Sequence, residues 1–193
     1  MNLRQTAILK LPVLVYAAAM LLGGCEHKSV FRSGPGESLT EEAVRIMIET
    51  RGFFDSIQNK AAAGFANDFE TQNEELVVLD RASGLLWQRS GSPAAMNLPN
   101  ARNYIAQLNE SRYAGYRDWR LPTLEEAMSL VETSPRQANA QHLDPRFDPK
   151  QRWIWTADFF SPTEAWVVSF DGGKCLISTV NRKIYVRAVR AGE

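Results

Sequence analysis

The chain has 193 residues, 45% of them hydrophobic, with 22 Lys and Arg against 22 Asp and Glu, which is the make-up of one ordinary domain with extra sequence at one end. Zero formal charge and a pI near 6.8 exclude capture of nucleic acid or anionic lipid by the bulk of the protein, so binding has to come from a local site. Two Cys and two His are too few for a zinc centre of the usual Cys/His type.

Residues 1–24 carry Arg4 and Lys10 ahead of an apolar run from Leu11 to Leu22. That run is shorter than the ~20 residues a permanent spanning helix needs, and it closes on small residues, so it reads as a secretory signal that is removed. Leu22-Gly23-Gly24-Cys25 is similar to a bacterial lipobox, which assigns a lipid to Cys25 and anchors the protein to a membrane. Glu26, by its likeness to enterobacterial lipoproteins, favours the outer membrane. Acylation of Cys25 leaves Cys175 as the last thiol, so no internal disulfide is expected. In Cys175-Leu176-Ile177 it reads as a buried, inert side chain.

Residues 25–37 hold Gly, Pro, Ser and charge without periodicity and read as the lipidated tether. Residues 38–75 read as a helical extension. Thr40 is a good N-cap, Glu41 and Glu42 suit a first turn, and Val44, Met47 and Ile48 form a stripe ending near Gly52. A domain over 76–191 follows. Leu76 to Leu79 and Gly84 to Gln88 predict a hairpin. A helix is expected over Pro99–Asn109, with Ala101, Ile105 and Leu108 on one face. Another follows Thr123, which forms a capping box with Glu126 and buries Leu124, Ala127, Met128 and Val131. Four strand-like runs close the chain: 152–156, 165–170, 174–179 and 185–190. Helices early and strands mainly late predict an α+β fold with antiparallel pairing.

Gly84-Leu85-Leu86-Trp87-Gln88, Tyr113-Ala114-Gly115-Tyr116-Arg117-Asp118-Trp119-Arg120-Leu121-Pro122-Thr123 and Tyr185-Val186-Arg187-Ala188-Val189-Arg190 together resemble the Lcl C-terminal domain family. This bacterial surface domain is named for the end of the Legionella collagen-like adhesin and was long of unknown function. The resemblance covers about residues 76 to 190. It implies a C-type-lectin-like fold, a twisted antiparallel sheet with two flanking helices, related to lectins and to the formylglycine-generating enzymes. In the adhesin the domain binds sulfated glycans. This chain has no collagen-like Gly-X-Y region, so trimerisation and glycan specificity do not carry over with the fold.

Catalysis fits poorly. His142 lacks a paired Cys nucleophile and there is no Ser-centred elbow, while the active-site cysteines of the formylglycine-generating relatives have no counterpart beside Cys175. Asp144, Asp148 and Asp158 could offer oxygens to Ca²⁺. No EF-hand spacing appears, nor the Glu-Pro-Asn or Trp-Asn-Asp triplets of calcium-dependent lectins, so no metal or cofactor is expected. Trp87, Asp118, Trp119, Arg120, Arg187 and Arg190 read as a structural motif, with Arg187 and Arg190 sharing a strand face and pairing with Asp118 or Glu126. The competing reading of Asp118-Trp119-Arg120 is a recognition cluster. Trp153 and Trp155 lie two apart, so both rings face one side and form either a ligand platform or packing beneath the helices. With Trp166, Arg152, Lys174 and Arg182 they make the candidate ligand face, flanked by loops expected over 134–152 and 158–165. The expected function is a non-catalytic, lipid-anchored envelope module that recognises a glycan or a protein partner and binds no nucleic acid. The alternative is an assembly lipoprotein that docks on another envelope protein through a flat apolar patch.

Overall fold

The computed structural model describes residues 30–136 and 140–192. The signal segment and Cys25 lie outside the described residues. Helix α1 spans Glu41–Arg51 and begins as expected, with the Thr40 side chain accepting from the Ala43 amide and Gly52 closing it at φ 65°. That left-handed conformation suits a residue without Cβ. Val44 and Ile48 are buried.

Two antiparallel sheets form the body. The first has strands β1 (Phe69–Gln72), β2 (Val77–Asp80), β3 (Leu85–Gln88) and β7 (Val189–Ala191), in that spatial order. Strands β4 (Trp153–Ser161), β5 (Glu164–Ser169) and β6 (Lys174–Thr179) make the second. The expected hairpin is β2–β3, pairing Val77 with Gln88 and Asp80 with Leu85. Its turn is held by Asp80, which is fully buried and accepts from the amides of Asp68 and Ala82 and from the Ser83 hydroxyl. Strand β1 is unannounced in sequence: Phe-Glu-Thr-Gln has a single apolar residue, and its pairing with β2 makes it a strand.

Where the resemblance implies one twisted antiparallel sheet with two flanking helices, the strands divide between two sheets. Only three of the four late runs form a sheet together. Tyr185 makes a parallel bridge to Ile154, whereas Val189 pairs with Trp87 of the first sheet and with Arg120. Residues 184–191 therefore stitch the two sheets together. Strand β4 also runs on to Ser161, so the loop expected over 158–165 is reduced to the short turn between β4 and β5.

Helix α2 (Leu98–Glu110) is capped by Asn97, with Pro99 in its first turn. Helix α3 (Leu124–Ser129) carries the full Thr123–Glu126 capping box. One core cluster joins Val44, Ile48, Phe53 and Phe54 to Trp87, Leu124, Ile154 and Val168, so the extension belongs to the same core as the domain. A second lies between α2 and the other face of β4–β5, around Leu98, Trp155 and Val167. A third gathers Val77, Leu86, Leu108 and Ala188 around Trp119.

The tether expected through residue 37 gives way to packed chain at Phe31. That ring is buried and meets Phe53 and Phe65 at centroid distances of 5.6 and 4.8 Å. Beyond it, the Thr123 hydroxyl donates to the Arg32 carbonyl at 2.9 Å, the Glu37 amide to Asp158 at 2.8 Å and the Leu39 amide to the Phe159 carbonyl at 2.8 Å. Asp158 is fully buried; it also accepts from the Leu124 amide at 2.7 Å and from the Arg32 guanidinium.

Candidate functional site

The start of β4 and the segment 182–185 border a cleft of about 240 Å³, lined by Arg152, Trp153, Asp171, Arg182, Lys183 and Tyr185 among others. Its walls are fixed by main-chain bonds, from the Trp155 amide to the Tyr185 carbonyl at 3.0 Å and from the Tyr185 amide to the Trp153 carbonyl at 3.2 Å. The Arg182 amide donates to the Thr179 carbonyl at 3.0 Å, which places its side chain over the cleft. There its guanidinium carbon lies 5.0 Å from the centre of the Trp153 ring, within range for cation–π attraction. Arg152 pairs with Asp171 at 3.4 Å, both partners substantially exposed. Three cations thus face one carboxylate across a half-buried aromatic floor. Lys174 stands opposite Ser169, which stands opposite Trp153. The register puts Lys174 on the face of Trp153, two strands or roughly 10 Å away.

The structure divides the other predicted aromatics from this site. Trp155 shares a face with Trp153, but α2 and Met96 cover it: the ring is fully buried and its Nε1 donates to the Met96 carbonyl at 2.8 Å. Trp166 is buried on the opposite face, donating to the Leu39 carbonyl at 3.0 Å with Phe160 edge-on at 6.4 Å. Neither ring offers a surface to a ligand, because each fills a core and each N–H is satisfied inside the protein. Trp153 survives in another role, as the surface that orients Arg182. Lys183 and Tyr185 also line the cleft, and no period in the sequence marks them, because the alternation of 182–185 is interrupted by the break between the sheets.

None of the residues of the expected structural motif lines the cleft. Trp119 is buried, donates from Nε1 to the Tyr113 carbonyl at 2.9 Å, and has its own amide held by Asn109 at 2.7 Å. Arg120 forks onto Glu126 at 2.7 and 2.6 Å, which also serves the capping box of α3. Trp87 is fully buried in the first core. Arg190 pairs with Asp118 at 2.7 Å and lies 3.9 Å from the centre of the Tyr116 ring. Arg187 does not share that face and takes neither carboxylate. It lies three positions before Arg190, an odd step that inverts direction in an extended chain. It is fully buried, 4.8 Å from the Phe147 ring centre. It donates to the carbonyls of Gln88, Arg89 and Asp148 and to the Gln151 amide oxygen. Burial pulls this guanidinium down to about 9, against a weaker opposing pull from Asp148.

Acidic residues are committed elsewhere. Asp158 serves Arg32 and two amides, and Asp144 pairs with Arg146 at 3.1 Å and Arg136 at 3.8 Å. Among the described residues no group of three or more His, Cys, Asp or Glu could hold a metal ion. His142 is stacked on Phe54 and bonds through Nδ1 to the Glu132 carbonyl at 2.7 Å. Cys175 is a buried free thiol whose pKa burial pushes up, with Asp55 adding to the effect.

A family model for the Lcl C-terminal domain matches residues 76–190. The chain belongs to the Lcl C-terminal domain family. The matched span holds Trp87, the Asp118-Trp119-Arg120 knot, the cleft and the buried Arg187, so the Lcl C-terminal domain here includes both sheets apart from β1. Residues 31–72 add α1, β1 and part of the first core to that domain. No curated protein matches the chain. No helix among the described residues is long and apolar enough to cross a membrane.

Proposed function

We propose that the protein is a lipid-anchored, non-catalytic binding module of the bacterial envelope, held at the outer membrane through Cys25, whose Lcl C-terminal domain has a C-type-lectin-like fold and recognises an anionic glycan. The observation that carries the reading is the cleft in which Arg152, Arg182 and Lys183 converge beside Trp153 and Tyr185 with Asp171 as the opposing charge. Guanidinium groups offer planar, forked donors that match sulfate and carboxylate oxygens. Trp153 holds Arg182 over the cleft, so part of the ordering cost is met before a ligand arrives. Asp171 does the same for Arg152. A sulfate entering the cleft would take the free N–H groups of both arginines, and a sugar ring could lie along the exposed edge of Trp153 or Tyr185.

The test is binding of a sulfated oligosaccharide by wild type and by Arg182→Ala, with a neutral oligosaccharide of the same length as control. Loss of one charged hydrogen-bond donor is worth about 1.5–3 kcal/mol, so affinity should fall roughly tenfold or more. Affinity should also weaken as salt rises. Equal binding by the variant, with its melt intact, would remove this cleft from the account and favour docking on an envelope protein.

A further inference from the structure

Strand β6 is an edge of the second sheet, and its outer side is closed at both ends and open in the middle. In an antiparallel pair successive residues turn their N–H and C=O groups alternately toward the neighbouring strand and away from it. The Val180 amide reaches the β5 side, at the Thr163 carbonyl, whereas the Cys175 amide donates to Asp55 at 3.0 Å. On β5 the carbonyl of Trp166, the residue opposite Ile177, accepts from the Thr156 hydroxyl of β4. Cys175, Ile177 and Thr179 therefore turn their main-chain groups away from the sheet.

Loops of the same chain occupy the ends of this row. The Gly173 carbonyl accepts from the Ser56 amide at 2.9 Å, and the Thr179 carbonyl from the Arg182 amide at 3.0 Å. With the Cys175 amide on Asp55, four groups stand between these caps: the Cys175 carbonyl, the N–H and C=O of Ile177, and the Thr179 amide. None of the four has a hydrogen-bond partner among the described residues. Natural sheet edges are guarded by Lys, Pro or a bulge. Cys175-Leu176-Ile177-Ser178-Thr179 holds no charge and no proline, and its register with β5 is unbroken from Lys174 to Thr179. A groove of about 310 Å³ runs beside it, with Ile57, Cys175, Leu176 and Ile177 in its lining. Ile57 is 64% exposed, and a strand laid on this edge would cover it.

We infer that two copies of the chain pair through β6, edge to edge and antiparallel about Ile177, joining their three-stranded sheets into one continuous sheet. The four open groups are self-complementary in that arrangement. Ile177 of each copy exchanges both bonds with Ile177 of the other, and each Thr179 amide meets the Cys175 carbonyl across the axis. The two groups that would otherwise have met there, the Cys175 amide and the Thr179 carbonyl, are the two already satisfied within each chain. An unrelated extended peptide would leave a C=O opposite Cys175 and an N–H opposite Thr179 without partners, which costs free energy as they leave water. A second copy brings those groups already bonded. Four main-chain bonds make a small contact, so the dimer is expected to dissociate on dilution.

The experiment follows the full chain, in detergent well in excess of protein, by sedimentation equilibrium and by amide hydrogen exchange across a concentration series. The expected result is a monomer–dimer equilibrium in which the Ile177 and Thr179 amides exchange more slowly as the dimer fills, while the Leu76 amide, bonded within the chain to the Asn73 carbonyl, does not respond. Thr179→Pro removes an outward N–H without touching the ladder to β5, a place where an edge strand tolerates proline. By symmetry it deletes two bonds per dimer, and the dissociation constant should rise about tenfold or more. Thr179→Ala keeps the amide and should dimerise as wild type does. A monomer at every concentration overturns the inference. So does a dimer in which exchange at Ile177 and Thr179 is independent of concentration, because that dimer uses another surface. The exchange measurement is made on the wild-type chain, so it decides the matter even if the proline variant melts early.

Discussion

Replacing Asp158 by alanine should loosen the N-terminal segment and α3 together. The carboxylate is fully buried and serves three donors: the Leu124 amide at 2.7 Å, the Glu37 amide at 2.8 Å and the Arg32 guanidinium. Leu124 is the first residue of α3, so its amide has no partner within the helix and would be left buried and unsatisfied. Arg32 is a quarter exposed and keeps Glu37 at 3.7 Å, which reduces its share of the loss. Each charged hydrogen bond is worth about 1.5–3 kcal/mol and a broken buried pair about 3–5 kcal/mol in all. Because the three share one acceptor they do not add, and the expected cost is about 3–5 kcal/mol. Against a total stability of roughly 5–15 kcal/mol this would be plain in urea denaturation followed by tryptophan fluorescence. Limited proteolysis should cut the variant within residues 30–37 well before the domain unfolds. A midpoint within about 0.5 kcal/mol of wild type, with the segment still protected, would refute the argument that Asp158 fastens it.

The Asp-Trp-Arg motif separates into unequal parts. Trp119→Ala should cost about 3–5 kcal/mol, whereas Asp118→Ala should cost under about 1 kcal/mol because its side chain is 58% exposed; chemical denaturation compares the two. Glu132 sits half-buried with its pKa raised by desolvation, opposed by Arg136. The folded protein therefore holds this proton to higher pH than the unfolded chain, so stability contributed by the neutral form is lost as pH rises through that window. Glu132→Gln should flatten that part of the pH–stability curve, and an unchanged slope would contradict the assignment. Cys175, with its pKa pushed up by burial, should react with a disulfide reagent only on unfolding, and rapid labelling of the native protein would contradict its packing.

Local signals in the sequence carried the helices and the hairpin. Thr40, Thr123 with Glu126, and Gly52 specify helix ends through bonds to their near neighbours, and such chemistry does not wait for tertiary structure. Strand β1 and the split of the late strands were not legible in the same way. Phe69–Gln72 becomes a strand because β2 offers a partner, and Val189 leaves its neighbours for β3 because Trp87 lies opposite it. The site was half legible. Alternation correctly put Trp153 and Trp155 on one face, yet could not say that α2 covers one ring and leaves the other beside Arg182. Nor could spacing reveal that Gly-Pro-rich residues 33–37 are fastened by Asp158 and Phe159 from more than a hundred positions away.

A ligand of the proposed module should enter the cleft at the start of β4. Titrating the isotopically labelled protein with a sulfated oligosaccharide, while following backbone amide resonances, tests it most directly. Perturbations are expected to concentrate at Arg152, Trp153, Asp171 and residues 182–185, with Trp155 and Trp166 shifting little. Perturbations centred on α2, or none at a concentration that saturates binding, would contradict it.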